Sequence, residues 1–235
     1  MPNFTFDEKE HVYTLDGKPL QGVTTILRVI SKPALIQWSA NCAVDFIETA
    51  VKSGLELTDQ IYKDARLAHR KKKEKAGEEG TDAHSLIELM IKNAIEKNGG
   101  YILETETGIN TILDSFVKWA NENKVKFLAS ELRLYSREHW YAGTADMVCE
   151  IGGKLYVGDV KTGSAIYPEY FIQTSAYAHA LVEMGLYEQF GGVVIVNARK
   201  DGSIEIKGNY ALEGNFECFK ACLVLHRHLQ AINPK

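Results

Sequence analysis

Four cysteines in 235 residues, with no CxxC pair among Cys42, Cys149, Cys218 and Cys222, supply no disulfide framework, and no histidine beside them has zinc-site spacing. Cys218 and Cys222 fall on one helical face, which suggests packing. Reduced thiols in a cytoplasm are the simplest expectation. No apolar run is long enough to span a bilayer, so no membrane partner is expected. Early acids at Asp7, Glu8 and Glu10 suit neither a secretory signal nor an import sequence. No internal repeat is visible. Charge of one sign is also lacking: the net charge is −4, which neither advertises a nucleic-acid surface nor excludes one, because local charge counts and a metal adds its own. What is present is ordinary for a folded chain, with 45% hydrophobic and 25% charged residues. That argues against disorder and for one large domain, or a domain with a helical lobe.

The pattern of apolar residues and turn signals divides the chain in two. Residues 1–125 read as mainly helical, after two short extended pieces around the Asp16-Gly17 turn. Helices are expected over 24–29, 34–50, 58–75, 83–97 and 110–123. Gly77 to Gly80 is expected to interrupt the long charged stretch, with Thr81 or Asp82 capping the next helix, and Asn98-Gly99-Gly100 to end it. Residues 126–235 read as strands over 128–135, 143–151 and 154–161, a helix over 169–184, strands over 192–197 and 204–209, and a helix over 213–232. Gly152-Gly153 makes a two-residue hairpin turn. The class is α/β: a mixed sheet flanked by helices, with a helical N-terminal portion, forming one compact domain.

Chemistry concentrates in the hairpin. Side chains alternate along a strand, so Leu155, Val157, Asp159 and Lys161 share a face. An acid and a lysine at the end of an apolar face are costly there unless paired or used. Asp146, on the neighbouring strand, faces the same space. Converging carboxylates repel, and a divalent cation relieves the repulsion; oxygen ligands suit Mg²⁺ or Mn²⁺. A lysine beside them can hold or help deprotonate an attacking water, or stabilise a phosphorane. A lone D-x-K is usually an ion pair on a surface hairpin; here it follows an apolar strand and has a second acid beside it.

Asp146 followed by Asp159-Val160-Lys161 resembles the signature of the PD-(D/E)XK nuclease superfamily. Gln173-Thr174-Ser175-Ala176-Tyr177 resembles the QxxxY motif of its RecB-like branch, and Gly80-Thr81-Asp82-Ala83-His84 that branch's upstream G-x-x-x-H element. With Val23 to Leu27, Trp38, Glu131, Thr162 and Asn197 to Gly202, the pattern is similar to mitochondrial genome-maintenance exonucleases and their phage and bacterial relatives, over about residues 20 to 210. Ala145 stands where the superfamily often has proline. The resemblance implies a restriction-endonuclease-like core over 126–235, a Mg²⁺ or Mn²⁺ cofactor held by His84, Asp146, Asp159 and the carbonyl of Val160, and a catalytic Lys161. Relatives with an iron–sulfur cluster need one early and three late cysteines. Only Cys42, Cys218 and Cys222 are candidates, so no cluster is expected.

Supporting residues carry two readings each. Gln173 can hydrogen-bond a phosphate or the surroundings of the lysine. Tyr177 can stack on a base or touch a phosphate, or simply fill the core. Glu131 is an extra carboxylate near the metal or a partner across the sheet. Thr162 can touch a DNA phosphate, and Glu88 can orient the His84 imidazole or lie in solvent. His69 to Lys75 is the only dense basic run, either a solvated face or a guide for DNA. Trp38 and Trp119 are expected in the core, with Trp140 and Tyr141 more exposed. The expectation is a metal-dependent DNA exonuclease acting on single strands or DNA ends in recombination, repair or replication, in a bacterial or phage-infected cytoplasm, with a single-strand-binding or recombinase protein as possible partner. The helical N-terminal portion is expected to limit access to a free end. The rivals are a structure-specific or nicking endonuclease, a non-catalytic DNA-binding protein on a nuclease fold, and an RNA-directed nuclease.

Overall fold

The computed structural model describes residues 2–102, 111–199 and 201–233, without the side chains of 75–82 and of Thr111. Lys200, the helix start at Asn110 and the side chains of 80–82 before His84 lie outside what is described; Thr81 and Asp82 fall inside one continuous helix, Asp59–Lys97, so neither caps a new one as expected.

The chain forms an α/β structure with a mixed eight-stranded sheet flanked by helices. It separates into two compact units, one of residues 1–30 with 83–235, the other of residues 31–82. In the first unit, strands β1 (Phe4–Asp7), β2 (Val12–Leu15) and β3 (Lys18–Gly22) form a meander. Its Asp16-Gly17 turn has both residues at positive φ, as a tight hairpin turn requires. A short α1 (Val23–Ile26) follows. After α4 (Thr111–Glu122) come β4 (Lys126–Ser136), β5 (Tyr141–Ile151) and β6 (Lys154–Lys161), successive strands pairing antiparallel. Then come α5 (Pro168–Glu183), β7 (Gly192–Ala198), β8 (Ile204–Asn209) and α6 (Leu212–Ile232). β7 lies parallel to β6 and antiparallel to β8.

The second unit contains α2 (Pro33–Lys52) and the first part of α3 (Asp59–Lys97), packed through Cys42, Ala50, Ala65 and Ala68. Here the structure corrects the expected break at Gly77 to Gly80: α3 is one helix of 39 residues. A glycine inside a helix costs only about 1 kcal/mol relative to alanine, and the lysines, glutamates and alanines around it are strong helix formers. The basic run lies in this unit as a mostly solvated face, with Lys72 on Asp45 at 3.1 Å and Lys71 on Asp64 at 3.5 Å. Trp38, expected in a core, is 37% exposed.

Both faces of the sheet are buried. On one side Ala176, Ala180 and Leu181 of α5 and Phe216, Phe219 and Leu223 of α6 pack on Leu134, Tyr141, Val157 and Val193. On the other, Ile87, Ile91 and Ala94 of α3 and Phe116, Val117 and Trp119 of α4 pack on Phe127, Met147, Val160, Val194 and Val196. Tyr141 is therefore fully buried, against expectation, and its hydroxyl donates to the Ala176 carbonyl at 2.8 Å. A strand buried on both faces has no exposed side for it. Trp140 is partly exposed and donates through its indole N–H to the Pro19 carbonyl. Cys222 packs against the first core, whereas Cys218 is exposed. Among the described residues no helix is long and apolar enough to cross a membrane.

Two irregularities in this sheet create the site. Strict alternation fails along β5: Tyr141 and Ala145 face the α5 side, and so does Val148, three residues on, while Met147 and Cys149 face the other. In β4, across from this switch, Glu131 has φ +50° between the pairs Ser130–Met147 and Leu132–Ala145. The second irregularity is a fork. β4 pairs with β5 along its length, so β3 and β6 share the opposite edge. β6 pairs only from Ile151–Lys154 to Met147–Gly158, and β3 pairs in parallel at Tyr141 and Ala142. The stretch of β5 between them, Gly143 to Asp146, is left open to side chains.

Candidate metal and catalytic centre

At the fork the Asp146 carboxylate does the work of a missing backbone partner. Its Oδ2 accepts the Val160 amide N–H at 2.7 Å, where β6 has left the β5 ladder. The same oxygen lies 3.1 Å from Nε2 of His84, which reaches it from α3. That hydrogen bond raises the His84 pKa above its ordinary value, against the opposing effect of burial. Glu131 completes the group: one donor atom each from His84, Glu131 and Asp146 lies within 4.8 Å of the others. Burial, then the charge on Asp146, pushes the Glu131 carboxyl up to about 7. Its Oε1 is buried without a hydrogen-bond partner.

One imidazole and two crowded carboxylates fit a divalent cation. The unpartnered Glu131 oxygen is what such an ion would satisfy, and the repulsion is what it would relieve. Relative to the set His84, Asp146, Asp159 and the Val160 carbonyl expected from resemblance, the tightest cluster contains Glu131 in place of Asp159.

Asp159 belongs to an adjoining group in the same cavity of about 380 Å³, which His84, Glu131, Asp146, Lys161 and Gln173 also line. It is 1% exposed and in contact with Nζ of Lys161. Gln173 of α5 donates through Nε2 to Asp159 Oδ1 and to the Tyr177 hydroxyl, both at 3.0 Å. Burial raises the Asp159 pKa even beside an ammonium group, with Asp146 adding to the rise. Burial acts to lower Lys161, but the charges on Asp159 and Asp146 outweigh it and keep the lysine raised. The centre thus holds a cation from the protein beside three acids and an imidazole, in a cavity open enough for a ligand.

Among the supporting residues, Gln173 orients Asp159 beside Lys161. Tyr177 is buried, with its ring against Gly143, so it serves the core and the Gln173 hydrogen bond; base stacking is closed to it. Burial raises its pKa well above the ordinary value. Of the two readings for Glu88, the structure favours the solvent-side one: it pairs with Lys92 on its own helix. Thr162 directly follows the Lys161 strand and is partly exposed. Next to it, the Gly163 amide donates to the Asn197 side chain at 3.0 Å.

Two contributors escaped the sequence reading. The Tyr170 ring centroid lies 5.2 Å from Lys161 Nζ, a cation–π contact that its place three residues before Gln173 on one helix face could have signalled. Phe6, His11 and Tyr13 of the N-terminal hairpin also line the cavity. Nothing local in their sequence signals that, because strand pairing across about 120 residues brings them there.

No family model matches the chain, and no curated protein matches it. Among solved structures, the crystal structure of SSO0001 is similar at a TM-score of 0.31 and 13% identity, over 48% of this chain and 56% of that one. At that level the likeness carries no argument about fold or activity.

Proposed function

We propose that the chain is a Mg²⁺- or Mn²⁺-dependent deoxyribonuclease with a restriction-endonuclease-like core of the RecB-like kind, acting as an exonuclease on single strands or DNA ends. The observation that carries this reading is the convergence of His84, Glu131 and Asp146 within 4.8 Å, with the Asp159–Lys161 pair lining the same cavity. His84, Asp146 and Glu131 would hold the ion, with Asp159 and the Val160 carbonyl as the further ligands that the motif resemblance implies. Bound there, the ion supplies Lewis-acid polarisation of a phosphodiester and a water of lowered pKa.

The chain's own groups do the rest. Lys161, held by Asp159 and the Tyr170 ring, aims an ammonium N–H at the oxygens where charge develops during attack. Gln173 fixes Asp159, so the lysine keeps one position instead of several. Asp146 is fixed by the Val160 amide and presents its carboxylate to the cavity.

The test is release of acid-soluble nucleotide from DNA. It should need Mg²⁺ or Mn²⁺, stop with EDTA, and fall at least about 100-fold in Lys161→Ala, the usual scale for losing one positioned electrostatic or proton-transfer group. Equal activity of wild type and Lys161→Ala would sink the catalytic reading. A circular single strand should stay intact; cutting of the circle would assign an endonuclease instead.

A further inference from the structure

The N-terminal hairpin adds an aromatic wall to the cavity that the acids line. The Phe6 and Tyr13 rings stack, with centroids 4.4 Å apart, and the His11 ring stands at 82° to Phe6, 5.1 Å away. The Arg133 guanidinium lies 4.9 Å from the Phe6 centroid, so Phe6 is engaged by its neighbours. His11 is the exposed member and turns toward the cavity from a backbone at φ +54°. The wall is fixed in register with the metal cluster, because the Tyr13 hydroxyl hydrogen-bonds Thr144 Oγ1 at 2.9 Å. Thr144 is two residues before Asp146 on one strand, roughly 7 Å along it.

We infer that His11, backed by Phe6, is a stacking platform for an unpaired nucleobase of the DNA strand whose phosphate reaches the acids and Lys161. This rests on the nuclease reading and adds to it the residue that binds the base. A histidine or phenylalanine ring accepts any base by its π-face, but only when that base has left its duplex partner. The cavity holds, side by side, the two things a single nucleotide unit needs: a ring surface for the base, and a cationic and metal-binding wall for the phosphate. A paired base has its face covered by its stacked neighbours. The platform therefore selects single strands or frayed ends over intact duplex.

The experiment uses the full chain carrying Lys161→Ala, so that bound DNA is not consumed, and reads fluorescence anisotropy with a labelled oligothymidylate. Adding His11→Ala or Phe6→Leu should weaken binding roughly 5- to 150-fold, the equivalent of about 1–3 kcal/mol for one stacked base. His11→Tyr should restore it. An oligonucleotide with abasic sites should bind the parent about as weakly as the thymidylate binds the His11→Ala form, and blunt duplex should bind all forms alike. His11 is exposed, so its alanine form keeps the fold even if Phe6→Leu does not. Equal binding of the single strand by the parent and His11→Ala overturns the platform, as does an equal loss on duplex. The two readings fail separately. Hydrolysis by wild type with no His11 effect leaves the nuclease and removes the platform. Unpaired-base binding through His11 without any hydrolysis does the reverse, and no binding by any form together with no hydrolysis by wild type removes both.

Discussion

Glu131 carries two costs at one residue. Its backbone sits at φ +50°, which disfavours a residue with a Cβ by about 1–2 kcal/mol, and its Oε1 is buried without a partner near Asp146. Such costs collect where a ligand offsets them. In EDTA, Glu131→Gln should raise stability by about 1 kcal/mol, because an amide N–H facing Asp146 replaces repulsion. That corresponds to roughly 2–4 °C in Tm for a chain of this size. Adding Mn²⁺ should raise the Tm of wild type by ligand linkage and leave Glu131→Gln nearly unmoved. An equal metal-induced rise in both would take Glu131 out of the ion's surroundings. At this scale the acid–lysine pair was legible in the sequence, because a charged end on an apolar strand face is costly unless used. The left-handed backbone of Glu131 was not legible, since no residue type there demands it. His11 was not legible either, because its neighbours in space lie far along the chain.

Elements were readable where a periodicity ran unbroken. Strand β6 and strand β8 begin and end where alternation and turn signals place them. The reading failed where one local rule was outweighed, as in α3, whose glycines are carried by the helix formers around them. In β5 the expected strand forms, but its alternation breaks between Ala145 and Val148, and the chemistry sits at the break. Gly143, just before that break, is a close approach between strand and helix. A Cβ there would lie 2.4 Å from the Tyr177 ring, a rigid and buried neighbour. Gly143→Ala should therefore destabilise by about 1–3 kcal/mol through overpacking, read as a lower urea midpoint with unchanged slope. It should also reduce activity by displacing Tyr177 and, through it, Gln173. Adding Tyr177→Leu should recover part of the stability and none of the activity. A neutral Gly143→Ala would mean that α5 can move away from the sheet without loss.

For the molecule as a whole, stability should depend on histidines that the fold keeps neutral. His179 stacks on Phe216 at 3.7 Å, and burial, then repulsion from His139, lowers its pKa below the ordinary 6.5. His226 is lowered as well, first by burial. A lowered folded value means that the unfolded chain binds protons more readily. This contribution is complete above about pH 6.5 and is lost as pH falls through the folded values. His84, raised by Asp146, acts in the opposite direction and is lost as pH rises through its folded value. Glu131 and Asp159, raised first by burial, act in the same direction as His84, so the histidines show in a difference: the urea midpoint of His179→Phe relative to wild type should rise as pH falls from 7.5 to 5. A difference that does not change with pH would assign acid sensitivity elsewhere. The two-sided burial of the sheet was readable from the apolar runs, but the fork between β3 and β6 was not, because it depends on which strand takes which edge of β5. The fork makes β5 the strand that joins both halves of the sheet, backed along its length by β4, and the two carry Asp146 and Glu131. Grip on the ion and continuity of the sheet thus hang on the same ribbon. Slowed hydrogen exchange along β4 when metal is added would then report occupancy of the centre from amides that never touch it.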